Sequence, residues 1–285
     1  MPIRTTHEKA RYILCKLDEL GFSDHNRIAT LSKKVLGVTQ PVGPGESEYL
    51  ATLEATIELP EWCYIFDNIP HNRLKGDFYE ILERALSDAP LLRDAKKQSG
   101  RDAQLELFTA AILSKAGLPV HRTITGPDFS ILYKQRTWMI EVKRVHSSSA
   151  DKIKERLRAA ATQVQKSGYL GIIILDVTPH FNPHNDPEQR FVHPDEYDQI
   201  EQDSVEKTVR KTIPLILTEL RERRVVSVFI NENHYIPAGE RGADRIDWTQ
   251  LSRWHQWQLC QPKEPMRLLA DKLANKFFSA CPKSD

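Results

Sequence analysis

Cysteine is scarce in this chain: the four residues, Cys15, Cys63, Cys260 and Cys281, are scattered through 285 positions and form no CxxC pair. That spacing argues against a disulfide framework and fits reduced thiols in a cytoplasm. Long apolar runs are also missing. No stretch approaches the ~18 consecutive apolar residues needed to cross a bilayer, so no membrane association is expected. The opening segment MPIRTTHEKARYILCK has no apolar run followed by a cleavage site, so no signal peptide is expected and the location is read as cytoplasmic. Internal repeats and low-complexity tracts are absent. Net charge is nearly absent too, at +1.

That small total hides an asymmetry. Residues 96–170 hold 14 Lys/Arg against 6 Asp/Glu, a net of +8, while the rest holds 26 against 33, a net of −7. A local basic field is what a polyanion-binding surface requires. With charged residues at 28% and the apolar set at 40%, the chain is otherwise an ordinary soluble globular protein with ample length for a core.

Periodicity divides the chain into a helical N-terminal region, 1–95, and a mixed domain, 96–285, with a C-terminal extension. HEKARYILCKLDEL places Ala10, Ile13, Leu14 and Leu17 near one face, with Gly21 as a stop, and HNRIATLSKKVLG repeats the design. TQPVGPGESEYL reads as a hinge. GDFYEILERALSDAP gives a further helix with Phe78, Ile81, Leu82 and Leu86 on one stripe. From residue 102 to Lys115 a helix is expected, ended by Gly117. Three short strands follow in PVHRTI, DFSILY and TWMIEVKRV. A helix capped by Ser149 comes next. YLGIIILDVT then reads as a central strand covered on both faces. Further on come a helix containing Pro214, the strand VVSVFI, a strand in SRWHQWQLCQ and a closing helix.

The segment TWMIEVKRV carries charge where an apolar strand would be expected. Strand side chains alternate, so Met139, Glu141, Lys143 and Val145 share one face. If Gln135 and Arg136 form a tight two-residue turn, Asp128 lies opposite Lys143 and Ser130 opposite Glu141, on that same face. A three-residue turn would move Asp128 to the other face. On the helix upstream, Glu106 shares a stripe with Asp102, Ala110 and Leu113 that faces the sheet. Buried carboxylates without partners cost several kcal/mol or turn neutral. A divalent cation among them removes that cost, and oxygen donors suit Mg²⁺. Such a cation beside a lysine suits hydrolysis of a phosphodiester. The plainer alternative is a surface salt bridge between Glu141 and Lys143 on an exposed face.

Pro127-Asp128, twelve intervening residues, and then Glu141-Val142-Lys143 resemble the PD-(D/E)xK nuclease superfamily, over roughly Gly100 to Val177. The resemblance implies an α/β fold: a restriction-endonuclease-like αβββαβ core, a mixed sheet flanked by helices, beside the N-terminal helical region. It implies Asp128, Glu141 and Glu106 as metal ligands, the Val142 carbonyl as a further ligand, and Lys143 as the catalytic lysine. Glu106 matches an acidic residue many members carry on the first core helix, and Gln163 a glutamine some carry on the second. The expected activity is Mg²⁺- or Mn²⁺-dependent endonuclease cleavage, with DNA as the polymer, in a bacterial defence or mobile-element setting. Many relatives act as homodimers or inside larger complexes with ATP-driven partners. The alternative is a non-catalytic nucleic-acid-binding or assembly subunit that keeps the fold.

Other residues can be weighed around this set. Lys152, Arg156, Gln163 and Lys166 fall together on one side of the second core helix, a candidate track for phosphates. Arg144 follows the motif directly and is a further phosphate contact; His146 reads equally well as an incidental loop residue. His180, His184 and His193 lie in a Pro-rich loop whose spacing matches no common zinc site and reads better as a lid. Trp254 and Trp257 read as packing residues ahead of base-stacking ones.

Overall fold

The computed structural model describes residues 5–22, 25–38, 47–90, 98–146, 149–177, 205–238, 247–260 and 265–282. Of the expected hinge at 39–50, residues 39–46 lie outside them, as does the loop holding His180, His184 and His193, while Ser47 to Leu50 form the start of a helix instead. The chain forms two compact units that divide between Ala111 and Ile112.

The first unit is helical. It contains α1 (Thr6–Leu20), α2 (Arg27–Gly37), α3 (Ser47–Asn68), α4 (His71–Lys75), α5 (Tyr79–Ala85) and most of α6 (Ser99–Lys115). A capping box starts α1: Thr5 Oγ1 accepts from Glu8 N, and the Glu8 carboxylate accepts from Thr5 N. Gly21 ends the helix at φ +81°, a left-handed conformation that glycine adopts without a Cβ penalty. Helices α1, α2 and α3 pack pairwise, burying Ile13 and Leu17, Ile28 and Leu31, and Ile57 and Leu59. Each such side chain contributes about 1.5–3 kcal/mol when removed from water. The 22-residue α3 has no counterpart in the sequence reading. It also buries Glu54, Glu58 and Glu61 among its apolar residues.

The second unit is a six-stranded mixed sheet with interspersed helices. Its strands are β1 (Val120–Arg122), β2 (Phe129–Tyr133), β3 (Arg136–Arg144), β4 (Leu170–Asp176), β5 (Val225–Ala238) and β6 (Asp247–Gln258), in spatial order 1-2-3-4-5-6. β1–β2 and β2–β3 are antiparallel, β3–β4 and β4–β5 parallel, and β5–β6 antiparallel. α7 (Ala150–Ser167) connects β3 to β4, α8 (Val205–Glu222) connects β4 to β5, and α9 (Pro265–Ala280) follows β6. Ser149 caps α7 by accepting from Asp151 N.

α7 packs on β3 and β4, and α8 on α7 and β5. Between them and the sheet lies one apolar cluster that includes Ile153, Leu157, Val164, Ile173, Leu175 and Val228. Gly171 brings the last turn of α7 close: a Cβ there would stand 2.5 Å from Val164 Cγ1. On the other face, α9 packs against β5 and β6. There Trp254 meets the Phe277 ring edge-on at 5.1 Å, whereas Trp257, of opposite strand parity, packs against the apolar cluster on the α7 and α8 side. Both tryptophans are therefore packing residues. Among the described residues no helix is long and apolar enough to cross a membrane.

Candidate active site

The turn between β2 and β3 sets the site. It consists of Lys134 and Gln135, both at positive φ (+51° and +60°), the signature of a type I′ hairpin turn. Tyr133 pairs with Arg136 and Phe129 with Ile140. The expected turn at Gln135–Arg136 is therefore corrected by one residue, and the register by two. Ser130 lies opposite Met139, not Glu141, and extending the register by one step brings Asp128 opposite Glu141, not Lys143. A shift of two residues is one full pleat, so Asp128 stays on the face of Glu141 and Lys143.

The pairing of β2 with β3 stops at Phe129, and side chains take over from there. Asp128 Oδ2 accepts from the Val142 N–H at 2.8 Å. In a strand, the N–H and C=O of one residue point to the same side, so the Val142 carbonyl also faces β2. The residue that would lie opposite it is Pro127, which has no N–H to give. The Val142 carbonyl accepts instead from Lys143 Nζ at 3.1 Å. The same ammonium forms an ion pair with Glu141 Oε1. One cationic group thus touches two of the four groups expected to bind a metal.

Glu141 is only 2% exposed and Lys143 25%, so this is not the exposed surface pair of the plainer reading. Glu141 Oε2 is buried with no hydrogen-bond partner. Burial first, and then the neighbouring Asp128 carboxylate, push the Glu141 carboxyl up to about 7, against the opposing pull of Lys143.

The remaining expected site residues are distributed differently. Arg144 has the parity of Val142, so it lies on the opposite face, where its Nε donates to the buried Asp176 carboxylate at 2.7 Å. It is removed from the face of the site. Glu106 belongs to the first unit, where Arg84 Nη2 holds both of its oxygens at 2.6 Å. Lys152 pairs with Glu155 at 2.6 Å on the surface of α7. Arg156 and Lys166 are exposed, and Gln163 is half-buried. Arg158 of α7 donates to Glu219 of α8, and Thr162 accepts from Arg223 at 2.7 Å. That flank of α7 is turned to α8. At about 3.6 residues per turn, Arg156 and Gln163 lie on the opposite flank, toward β2. His146 is half-buried just beyond β3.

Two residues missed from sequence have readable signals. Asp176 ends the apolar run of β4 with a charge, and Pro127 cannot extend a ladder. Among the described residues no group of three or more His, Cys, Asp or Glu side chains could hold a metal ion. The donor set at the hairpin is therefore two carboxylates and one main-chain carbonyl, all hard oxygens. No protein-family model and no curated protein matches the chain.

Proposed function

We propose that the chain is a divalent-metal-dependent nuclease that hydrolyses phosphodiester bonds, with DNA as the expected polymer and a PD-(D/E)xK core as its scaffold. The order α6-β1-β2-β3-α7-β4 supports that scaffold. The observation that carries the reading is the Glu141 carboxylate, buried, with one oxygen lacking any partner, beside Asp128 and Lys143. A buried carboxylate with one unpaired oxygen beside a second carboxylate is costly even with a single ammonium on it, and a divalent cation between them offsets that cost.

Asp128, Glu141 and the Val142 carbonyl are the groups that would hold Mg²⁺ or Mn²⁺. Glu106 is left out of this set because Arg84 already engages both of its oxygens. A cation held there supplies Lewis acidity toward a phosphoryl oxygen and lowers the pKa of a bound water. The chain's own groups do the rest. The Val142 N–H fixes the Asp128 carboxylate in orientation. Lys143 turns its ammonium from Glu141 and Val142 to the substrate and stabilises negative charge on the non-bridging phosphoryl oxygens. Gln163 and Arg156, on the flank of α7 that faces β2, orient the strand.

The test is cleavage of DNA and RNA substrates in Mg²⁺ or Mn²⁺ by wild type and Lys143→Ala. Cleavage should fall by at least about a hundredfold in the variant while binding stays within about twofold. A wild-type protein that cleaves neither polymer, or a variant that cleaves as well as wild type, overturns the reading.

A further inference from the structure

The sheet face that carries Asp128, Glu141 and Lys143 is unevenly covered. α7 and α8 bury it over β3, β4 and β5. Over β1 and β2 the cover ends: His121 is exposed, Ser130 half-buried, and Leu132 54% exposed. Pairing places these residues on one face, with His121 opposite Ser130 and Ser130 opposite Met139. On the reverse side of the same strands, Val120, Phe129 and Ile131 are buried. The hairpin is thus apolar and covered on one side and open on the other.

The edges of this open strip are cationic. Arg156 lies on the α7 flank facing β2, and Lys134 is exposed at the turn. In residues 120–136 the one acid is Asp128 itself. From Asp128 to the turn the strip runs roughly 17 Å at ~3.3 Å per residue, the rise of about five nucleotides of a B-form strand.

Resting on the nuclease reading above, we propose that this strip, floored by His121, Ser130 and Leu132 and walled by the Arg156–Gln163 flank of α7, is the bed of the polynucleotide strand between the reacting phosphate and the hairpin turn. Arg156 and Lys134 contact phosphates and fix the direction of the strand, while Leu132 touches its sugar or base faces. The occupant is a phosphodiester strand because charge complementarity selects it.

Leu132→Glu puts a carboxylate on the floor at an exposed position. Leu268→Glu makes the same chemical change at a 60% exposed site on α9, which packs on β5 and β6 on the other face. Binding of fluorescein-labelled 20-residue DNA and RNA strands would be followed by anisotropy in EDTA, and cleavage in Mg²⁺. L132E should weaken binding about tenfold and L268E by less than about twofold. A separate variant, Lys134→Glu, should also weaken binding and lower the salt dependence by about one phosphate contact, which keeps the test valid if L132E does not fold. If wild type binds and cleaves but L132E and K134E behave like L268E, the strand bed is wrong and the nuclease reading stands. If wild type binds neither polymer, the nuclease reading fails and the strand bed with it. A loss seen with one polymer alone supports the bed and identifies the substrate.

Discussion

Glu58 in the helical unit and Glu141 in the sheet unit are both almost wholly out of solvent, at 4% and 2% exposure, yet they are driven in opposite directions. Burial raises both. Around Glu58, the guanidiniums of Arg101 and Arg27 outweigh burial and hold the carboxyl at about 2. Arg101 Nε donates to its Oε1 at 2.9 Å, and Arg27 pairs with its Oε2. Arg101 also reaches Glu54 at 3.0 Å, while Gln104 links Arg27 to Glu61 and Trp62. Around Glu141 there is a single ammonium, a second carboxylate raises the carboxyl further, and one oxygen has no partner. The helical unit uses buried charge as internal structure. The sheet unit leaves one oxygen of its buried carboxylate without a hydrogen bond.

The largest effect expected from breaking this contrast is on Glu141→Gln. Cleavage should fall by at least about a thousandfold, measured as single-turnover rate in Mg²⁺. The folded-state pKa of Glu141 is raised from 4.5 to about 7, so its stabilising contribution is full below about 4.5 and is lost as pH rises through about 7. Without added metal, local stability of β3 should therefore fall between those pH values in wild type, and this fall should be absent in the variant. Amide exchange resolved by segment would read it.

Arg101→Met should cost the helical unit about 3–5 kcal/mol in chemical denaturation, because two buried carboxylates lose a partner. The pH response is opposite in sign here. The Glu58 pKa is depressed, so its contribution is present above about 4.5 and is lost as pH falls toward about 2. Equal acid sensitivity in the variant and wild type would break the comparison. The smallest effect concerns the turn. Gln135→Gly relieves a left-handed non-glycine residue at φ +60° and should stabilise the hairpin by about 0.5–1 kcal/mol in thermal unfolding, with cleavage unchanged.

The strand period alone placed Glu141 and Lys143 on one face, because alternation needs no partner to be read. The same parity puts Arg144 on the other face, so its separation from the site is written in the strand alternation itself. The turn was displaced by one residue because Lys134-Gln135 contains none of the Gly, Asn or Asp that usually mark a type I′ turn. Helix α3 was legible only as part of a helical region, not as an element of its own. Its acids interrupt the apolar positions on a helix buried over several faces, which blurs the 3.6-residue stripe. The arginines that satisfy Glu58 come from 31 and 43 residues away, a pairing only the folded chain creates.

Pro127 has a consequence beyond the hydrogen bond it fails to make. Any other amino acid there would carry an N–H able to add one more rung to the β2–β3 ladder and tie up the Val142 carbonyl. The hairpin is like a zipper with one tooth removed: it stops closing at the rung where the carbonyl turns to the Lys143 ammonium instead. A pyrrolidine ring enforces that stop covalently, so pH, salt and temperature cannot undo it.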